Sequence, residues 1–392
     1  MKRMIIMMAL LLCVAALFGS YSRQAALGSG YKFFRDPVNI VFAPALAPQY
    51  GNVVNAELGA FTSAGMTPTG QWAMVNLNMN DALYIGGAVR RQDGYAFDLA
   101  TANSVTPPNP GFDLWAAYAM GGLDLGLGIY AAGYKEKTTY DASDQEDTYK
   151  AGVTTVKAGI GAEVGSAMVE GTAYFSMNKL KTEDTNASGD VHTWENTGGS
   201  EIGLGLRGFI PWGYDAELVP VLAFSTFSYG MEDKAFDGTL TESGDYSEMY
   251  LSAGVALNYT VLEDGIISVG ASLNMMNETD EIDTTAKTEY KYMAMPEVTI
   301  AAEIPAFDWM NLRAGVTKQF VKETVTNSTF ETSASSNENN NMFITFGTGL
   351  NFGGFALDMT ISESFLFYGP NAISGISNNV AATASLIYYW DR

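Results

Sequence analysis

Cysteine is nearly absent from this chain. Cys13 is the only one, and it lies inside the first apolar run, so once that run is removed no disulfide, thiolate metal site or cysteine nucleophile can form. Histidine is as scarce: His192 stands alone, among Asp190, Thr193 and Glu195 in a polar stretch read as mid-loop. One imidazole makes no zinc site without three further ligands, and no strand-held serine is placed to use it, so a non-enzymatic protein is expected. Basic residues are few as well. Lys and Arg number 21 against 43 Asp and Glu, a net charge of −22, which excludes nucleic acid as a partner. Finally, no apolar run of about 18 residues follows the N-terminus, so no helix of the mature chain could span a bilayer.

What is present must therefore spread its apolar content by alternation, because 47% hydrophobic residues is too many for disorder. The exception is the start. Lys2 and Arg3 precede an unbroken apolar run from Met4 to Phe18, the form of a secretory leader, with small residues at Ser20 and Ser22 placing cleavage near Ser22. Three leucines precede Cys13 where a lipoprotein site wants a small residue, so lipidation is rejected.

The period-two signal recurs along the whole mature chain. Leu123, Leu125, Leu127 and Ile129 share one face, and Asp124, Gly126, Gly128 and Tyr130 the other. The same dyad appears at Ile202 to Leu206 against Glu201 to Arg207, at Val298 to Ile304 against Glu297 to Glu303, at Phe355 to Ile361, and at Val380 to Trp390. One face is oily; the other is rich in glycine and serine, which suits a narrow wet lumen.

Tight turns (Asn80 Asp81, Gly121 Gly122, Gly165 Ser166, Pro211 to Asp215, Glu263 to Gly265, Pro305 to Trp309, Gly353 Gly354) alternate with long polar stretches. The long ones run from Arg91 to Gly111, Lys135 to Lys150, Lys179 to Gly199, Met231 to Asp245, Glu278 to Thr288, Lys322 to Asn340 and Phe367 to Asn379. This is the rhythm of short periplasmic turns and long extracellular loops. It predicts an all-β fold: a transmembrane antiparallel β-barrel of about 16 strands, or 14 if the first two segments belong to a plug. The expected division is residues 1–22 as signal peptide, 23–51 as a periplasmic or lumenal segment, and 52–392 as barrel, in the outer membrane of a diderm bacterium. Closure is required because an open sheet edge in hydrocarbon leaves backbone groups unsatisfied.

Trp72, Trp115, Trp212, Trp309, Tyr388 and Trp390 fall near predicted strand ends, where rings rest at headgroup level. The last strand, Ala384 to Trp390, resembles the targeting strand of outer-membrane barrels, although the chain ends at Arg392. Expected partners are thus outer-membrane lipid and lipopolysaccharide, the barrel-assembly machinery, and small solutes. No trimerisation motif is present, which leaves the oligomeric state open.

Residues 23–51 lack a strand dyad and hold three prolines, so they are expected to enter the lumen or cap its periplasmic mouth. Ser22 Arg23 with Leu27 Gly28, then Asp36, then Phe42 Ala43 Pro44 Ala45, resemble the N-terminal segment of the long-chain fatty-acid transporter family of outer-membrane barrels and its relatives in secretion systems. That family typically has Asn before the Pro-Ala pair, where this chain has Ala43. The resemblance implies 14 strands and the passage of hydrophobic compounds, against the residue-based reading of a porin-like channel for passive diffusion of small polar solutes or cations. A surface-structural or adhesion barrel is a third class.

By parity the lumen carries Arg90, Lys157, Arg207 and Arg313 against Glu57, Asp124, Glu163, Glu170, Glu201, Glu217, Glu297, Glu303 and Asp358. Asp124, Glu163, Glu170, Glu217, Glu303 and Asp358 lie near short turns. They form either a negative collar that favours cations, or partners of the arginines that hold the barrel's shape. Two loop clusters, one with Asp141, Asp144, Glu146 and Asp147 and one with Glu278, Asp280, Glu281 and Asp283, are oxygen-rich enough for Ca²⁺ or Mg²⁺, yet lack EF-hand spacing and read first as solvated loop charge. No other cofactor is expected.

Overall fold

A computed structural model describes residues 21–60, 70–91, 106–140, 145–262, 265–282, 286–327, 331–336, 342–361 and 381–390. Within them lie 17 strand segments: β1 (Val53–Ala60), β2 (Trp72–Asn78), β3 (Leu83–Val89), β4 (Gly111–Ala119), β5 (Leu123–Tyr140), β6 (Gln145–Val164), β7 (Ala167–Thr185), β8 (Val191–Pro211), β9 (Ala216–Lys234), β10 (Leu240–Val261), β11 (Gly265–Ile282), β12 (Ala286–Phe307), β13 (Met310–Asn327), β14 (Glu331–Ser336), β15 (Met342–Phe352), β16 (Phe355–Ile361) and β17 (Ala381–Tyr389). β14 and β15 pair with the outer and inner ends of β13, so they are two stretches of one stave, and the wall has 16. Every stave is antiparallel to its chain neighbours, and β1 closes the ring on β17, with Val53 opposite Tyr389. All edges are consumed, as a bilayer demands.

The alternation decides which face meets lipid. Leu125, Leu127, Ile129, Val156, Ile160, Phe175, Ile202, Leu204, Leu206, Leu257, Val269 and Ile300 all point outward and are exposed. A continuous apolar belt of this extent is the surface of a transmembrane barrel, far beyond what a soluble monomer exposes. The short turns fit the residues supplied. Gly121, Gly122, Gly165 and Gly353 all adopt positive φ, the region where a side chain would be strained. At the β2–β3 turn, Asn80 Oδ1 accepts from the amides of Ala82 and Leu83.

The wall is uneven in height. β5 to β13 run 18 to 22 residues, whereas β1 to β4, β16 and β17 have only 7 to 9. At ~3.3 Å per residue and a tilt of about 40°, a 20-residue stave rises about 50 Å, twice the ~25 Å apolar band. The extra height corrects the loop assignment. The described parts of 135–150, 179–199, 231–245, 278–288 and 322–340 are mostly paired strand, as from Lys135 opposite Lys150 to Tyr140 opposite Gln145. Beyond the bilayer the outer face has no lipid to meet, so the apolar alternation fades while the backbone ladder continues. The stretch 367–379 lies outside the described residues.

Two of the six belt aromatics are also corrected. Trp115 faces inward and is buried, its Nε1 donating to Asn76 Oδ1 at 3.0 Å, and Trp72 packs against the same inner cluster. Trp212, Trp309, Tyr388 and Trp390 lie at the short-turn end, with Phe307 stacked on Trp309 and Tyr388 on both Phe355 and Trp390.

Candidate functional site

The lumen at the short-turn end is filled by the chain's own N-terminal segment. It comprises a helix over Tyr21–Ala26, 3-10 turns over Gly28–Phe33, Pro37–Val41 and Pro44–Leu46, and a single α turn over Ala47–Tyr50. Local sequence sets these breaks: Asp36, in extended conformation, caps the next turn by accepting from the Val38 amide, and Pro37 starts that turn where no donor is required. Leu27, Phe33, Phe34, Val38, Ile40, Val41 and Leu46 are all buried, so the segment seals through apolar contact.

The inward glycines seat it. A Cβ added to Gly126 would lie 2.2 Å from Ala45 N and 2.4 Å from Pro44 C, and one at Gly315 would lie 2.6 Å from Leu27 C. The glycine-rich inner face is thus, in this part of the barrel, a bed for backbone instead of a wet surface. Short irregular turns also leave carbonyls unsatisfied, and wall side chains take them up. Lys157 Nζ donates to Val41 O, Arg207 to Phe34 O, Asn258 to Phe33 O, Asn76 to Ala47 O and Gly51 O, and Thr345 to Ala26 O.

Ion pairs complete the attachment. Arg23 bonds Glu303 at 2.8 Å and Asp36 at 3.1 Å, Lys32 bonds Glu297 at 2.7 Å, and Arg35 approaches Glu217 at 3.5 Å. Within the wall, Arg313 links Glu303 to Asp358, Arg207 holds Glu170, and Asp113 receives both Arg91 and Lys157. Four members of the proposed collar, Glu170, Glu217, Glu303 and Asp358, therefore face cations, two of which, Arg23 and Arg35, come from the N-terminal segment. Asp124 and Glu163 remain half-exposed or exposed near the mouth, where Glu163 N donates to Gly122 O.

Arg90 does not join the lumen. It adopts positive φ and is exposed, and its neighbour Arg91 is the buried one, closing on Asp113 at 2.6 Å. Parity fails there because β3 ends at Val89. Arg91, Asp113, Lys32 and Arg35 were not singled out from sequence. For Asp113 the signal was available, since it alternates with Phe112 and Leu114 on β4.

Above the plug the inner face changes character. Phe227, Tyr229 and Tyr246 form an aromatic group, and Tyr134 and Trp194 pack with Tyr149 and Leu180 in a hydrophobic cluster. Glu248 stands directly opposite Glu278, with Tyr246 opposite Asp280. His192 lies on β8 and not in a loop; its Nε2 sits 2.8 Å from Asp233 and its Nδ1 3.6 Å from Asp184. Beyond the belt, Glu183 is held below the usual carboxylate range by hydrogen bonds from Lys150 and Lys181. Asp147 accepts from Tyr140, and Asp280 faces the upper lumen; Asp141, Asp144 and Asp283 lie outside the described residues. Among the described residues, no three His, Cys, Asp or Glu side chains are grouped to hold a metal.

A cavity of 310 Å³ remains between the plug and the wall of β7 to β10, bordered by Asn39, Phe42, Leu46, Glu170, Val221 and Tyr250. Two buried polar atoms on its border, Asn39 Nδ2 and Glu170 Oε1, have no hydrogen-bond partner among the described residues.

No family model matches this chain, and no curated protein matches it. Among solved structures it is similar to the toluene transporter TodX of Pseudomonas putida, at 10% identity over 90% of this chain and 92% of that one, with a TM-score of 0.36. It is also similar to the ferric-catecholate import receptor Fiu of E. coli K12, at 9% identity over 87% and 75% with a TM-score of 0.38. A third is OmpT, an outer membrane protein of Vibrio cholerae, at 12% identity over 86% and 98% with a TM-score of 0.27.

Proposed function

We propose that this chain is an outer-membrane transport barrel of a diderm bacterium, exported behind a cleaved leader, which passes small polar solutes or cations when residues 21–51 shift within the lumen. The observation that carries the reading is the seal itself: a segment with buried apolar residues, tied to the wall by three salt-bridged cations, Arg23, Lys32 and Arg35. A freely open porin has no use for such a lock, whereas a gated conduit does. The facing acids Glu248 and Glu278, with Asp280 beside them, favour cations in the upper lumen. The belt meets outer-membrane lipid, the taller wall stands among lipopolysaccharide, and the aromatic last strand is presented to the barrel-assembly machinery. Outer-wall acids such as Asp147, on β6 and hydrogen-bonded by Tyr140, hold Ca²⁺ or Mg²⁺ weakly at most. The role is non-enzymatic.

The 310 Å³ cavity favours a second reading, a carrier of hydrophobic compounds, because Phe42, Leu46 and Val221 line it. Planar-bilayer recording on the refolded chain separates the two. A mostly closed wild type, with ohmic cation-preferring steps in Arg23→Ala/Lys32→Ala, supports the gated channel. A wild type that conducts continuously refutes the seal, and a silent pair of proteins carrying apolar compound through purification supports the carrier.

A further inference from the structure

Glu57 is the one carboxylate touching the N-terminal segment that, among the described residues, has no lysine or arginine beside it. Asp36 and Glu303 have Arg23, Glu297 has Lys32, and Glu217 has Arg35. Glu57 is 2% exposed, on β1, and collects hydrogen bonds only: from the Tyr21 main-chain nitrogen at 3.0 Å, from Ser22 Oγ at 3.2 Å and from Ser385 Oγ at 2.7 Å. Ser385 Oγ in turn accepts from the Ser22 amide at 2.9 Å, so four groups form a socket around the chain at residues 21 and 22. A carboxylate so deeply buried is costly without a positive charge, and peptide and hydroxyl donors do not supply one.

The missing charge is available from chain processing. We infer that leader removal occurs between Ser20 and Tyr21, and that the new Tyr21 α-ammonium is the cation seated on Glu57. The step is hydrolysis by a membrane-bound leader peptidase. Water adds across the Ser20–Tyr21 peptide bond, Ser20 leaves with a carboxylate, and the Tyr21 nitrogen, released as an amine, takes a proton. The donor already aimed at Glu57 Oε2 becomes an ammonium at the same position, which turns a hydrogen bond into a charge-assisted one. Ser20 supplies the small residue directly before the cut, while Phe18 stands where the second small residue of such a site is usual, so it is the Glu57 socket and not residue size that selects this bond. Cleavage after Ser22, which residue sizes alone favour, would discard Tyr21 and Ser22 together and strip Glu57 of two of its three donors.

The same pairing ties the terminus to the seam of the barrel. The socket is made of β1 and β17, the two staves whose pairing closes the ring, so the first residue of the mature chain would pin the seam between the first and last strands.

The test is intact mass and N-terminal sequencing of the protein isolated from outer membranes. A chain starting at Tyr21 is expected; a start at Arg23, or upstream of Tyr21, overturns the proposal. A second measurement reads the ammonium itself. In the folded protein from those membranes the Tyr21 α-amine should react with an amine-acylating reagent about tenfold more slowly than in the unfolded chain, corresponding to about one unit of pKa. In Glu57→Gln that protection should be largely lost. Equal protection in both proteins would mean that Glu57 does not hold the terminus.

Discussion

Adding one methyl group at Gly126 tests whether the N-terminal segment seals the lumen. In Gly126→Ala the new carbon would approach Ala45 N to 2.2 Å, Pro44 C to 2.4 Å and Ala45 Cα to 2.8 Å, all of them main-chain atoms that cannot rotate away. One side must move. β5 is hydrogen-bonded along both edges, to β4 and β6, whereas the plug near Pro44 is held by the Lys157 bond to Val41 O, the Thr172 bond to Phe42 O and the Asn76 bond to Ala47 O. The plug therefore yields. Overpacking of this kind costs about 1–3 kcal/mol, which would lower the closed-to-open ratio by roughly 5- to 150-fold if the wall stays rigid. Single-channel recording should show the open fraction rising by that order, while the folded barrel keeps its resistance to denaturation by detergent. Gly152→Ala is the control, since its new carbon meets nothing closer than 3.8 Å. A folded Gly126→Ala protein with wild-type open fraction would show that Pro44 and Ala45 do not rest on β5.

Three further outcomes follow from the same geometry. Leu127, outward and 67% exposed, faces lipid, so Leu127→Arg should cost about 2–4 kcal/mol of unfolding free energy in vesicles if it sits near the midplane, and an unchanged urea midpoint would place it elsewhere. Glu303→Gln leaves Arg23 and Arg313 adjacent with only Asp36 and Asp358 to balance them; breaking such a buried network costs about 3–5 kcal/mol, and protease cleavage within residues 23–36 should speed up, with Arg23→Ala adding little on top. Glu183 is depressed by Lys150 first and Lys181 second, so its contribution is present above the ordinary glutamate value of about 4.3 and is lost as pH falls through the lower folded value. Because the group is solvated the effect is under about 1 kcal/mol. Amide protection factors at the outer ends of β6 and β7, taken relative to intrinsic exchange at each pH, should fall on acidification in the wild type, and Glu183→Gln should remove that dependence.

Much of the wall was legible in order and register. Leu125, Leu127 and Ile129 against Asp124, Gly126 and Gly128 state which face meets lipid, and paired glycines mark the turns, so the number of staves follows from counting dyads. Three things were not. At Glu57 the parity was readable, but its partner is a main-chain nitrogen 36 positions away. On β8 the pairing shifts between Thr197 and Ser200, and on β12 between Ala294 and Glu297, so Tyr292 and Glu297 both point inward although their numbers differ in parity. A bulge inserts one residue without changing composition, and no count of alternating residues detects it. Third, the apolar signal ends where the bilayer ends, so the outer halves of β5 to β13 looked like loops.

The glycine-rich inner face shows the division most plainly. Alternation of apolar and small residues by itself determined a closed cylinder with oil outside, because lipid tolerates no other arrangement of unpaired backbone. Whether the small residues faced water or protein depended on contacts among residues hundreds of positions apart, such as Ala26 against Gly347 and Arg23 against Glu303. Only the tertiary structure could decide that, since a glycine at the lumen leaves the same space for a solute as for a neighbouring backbone.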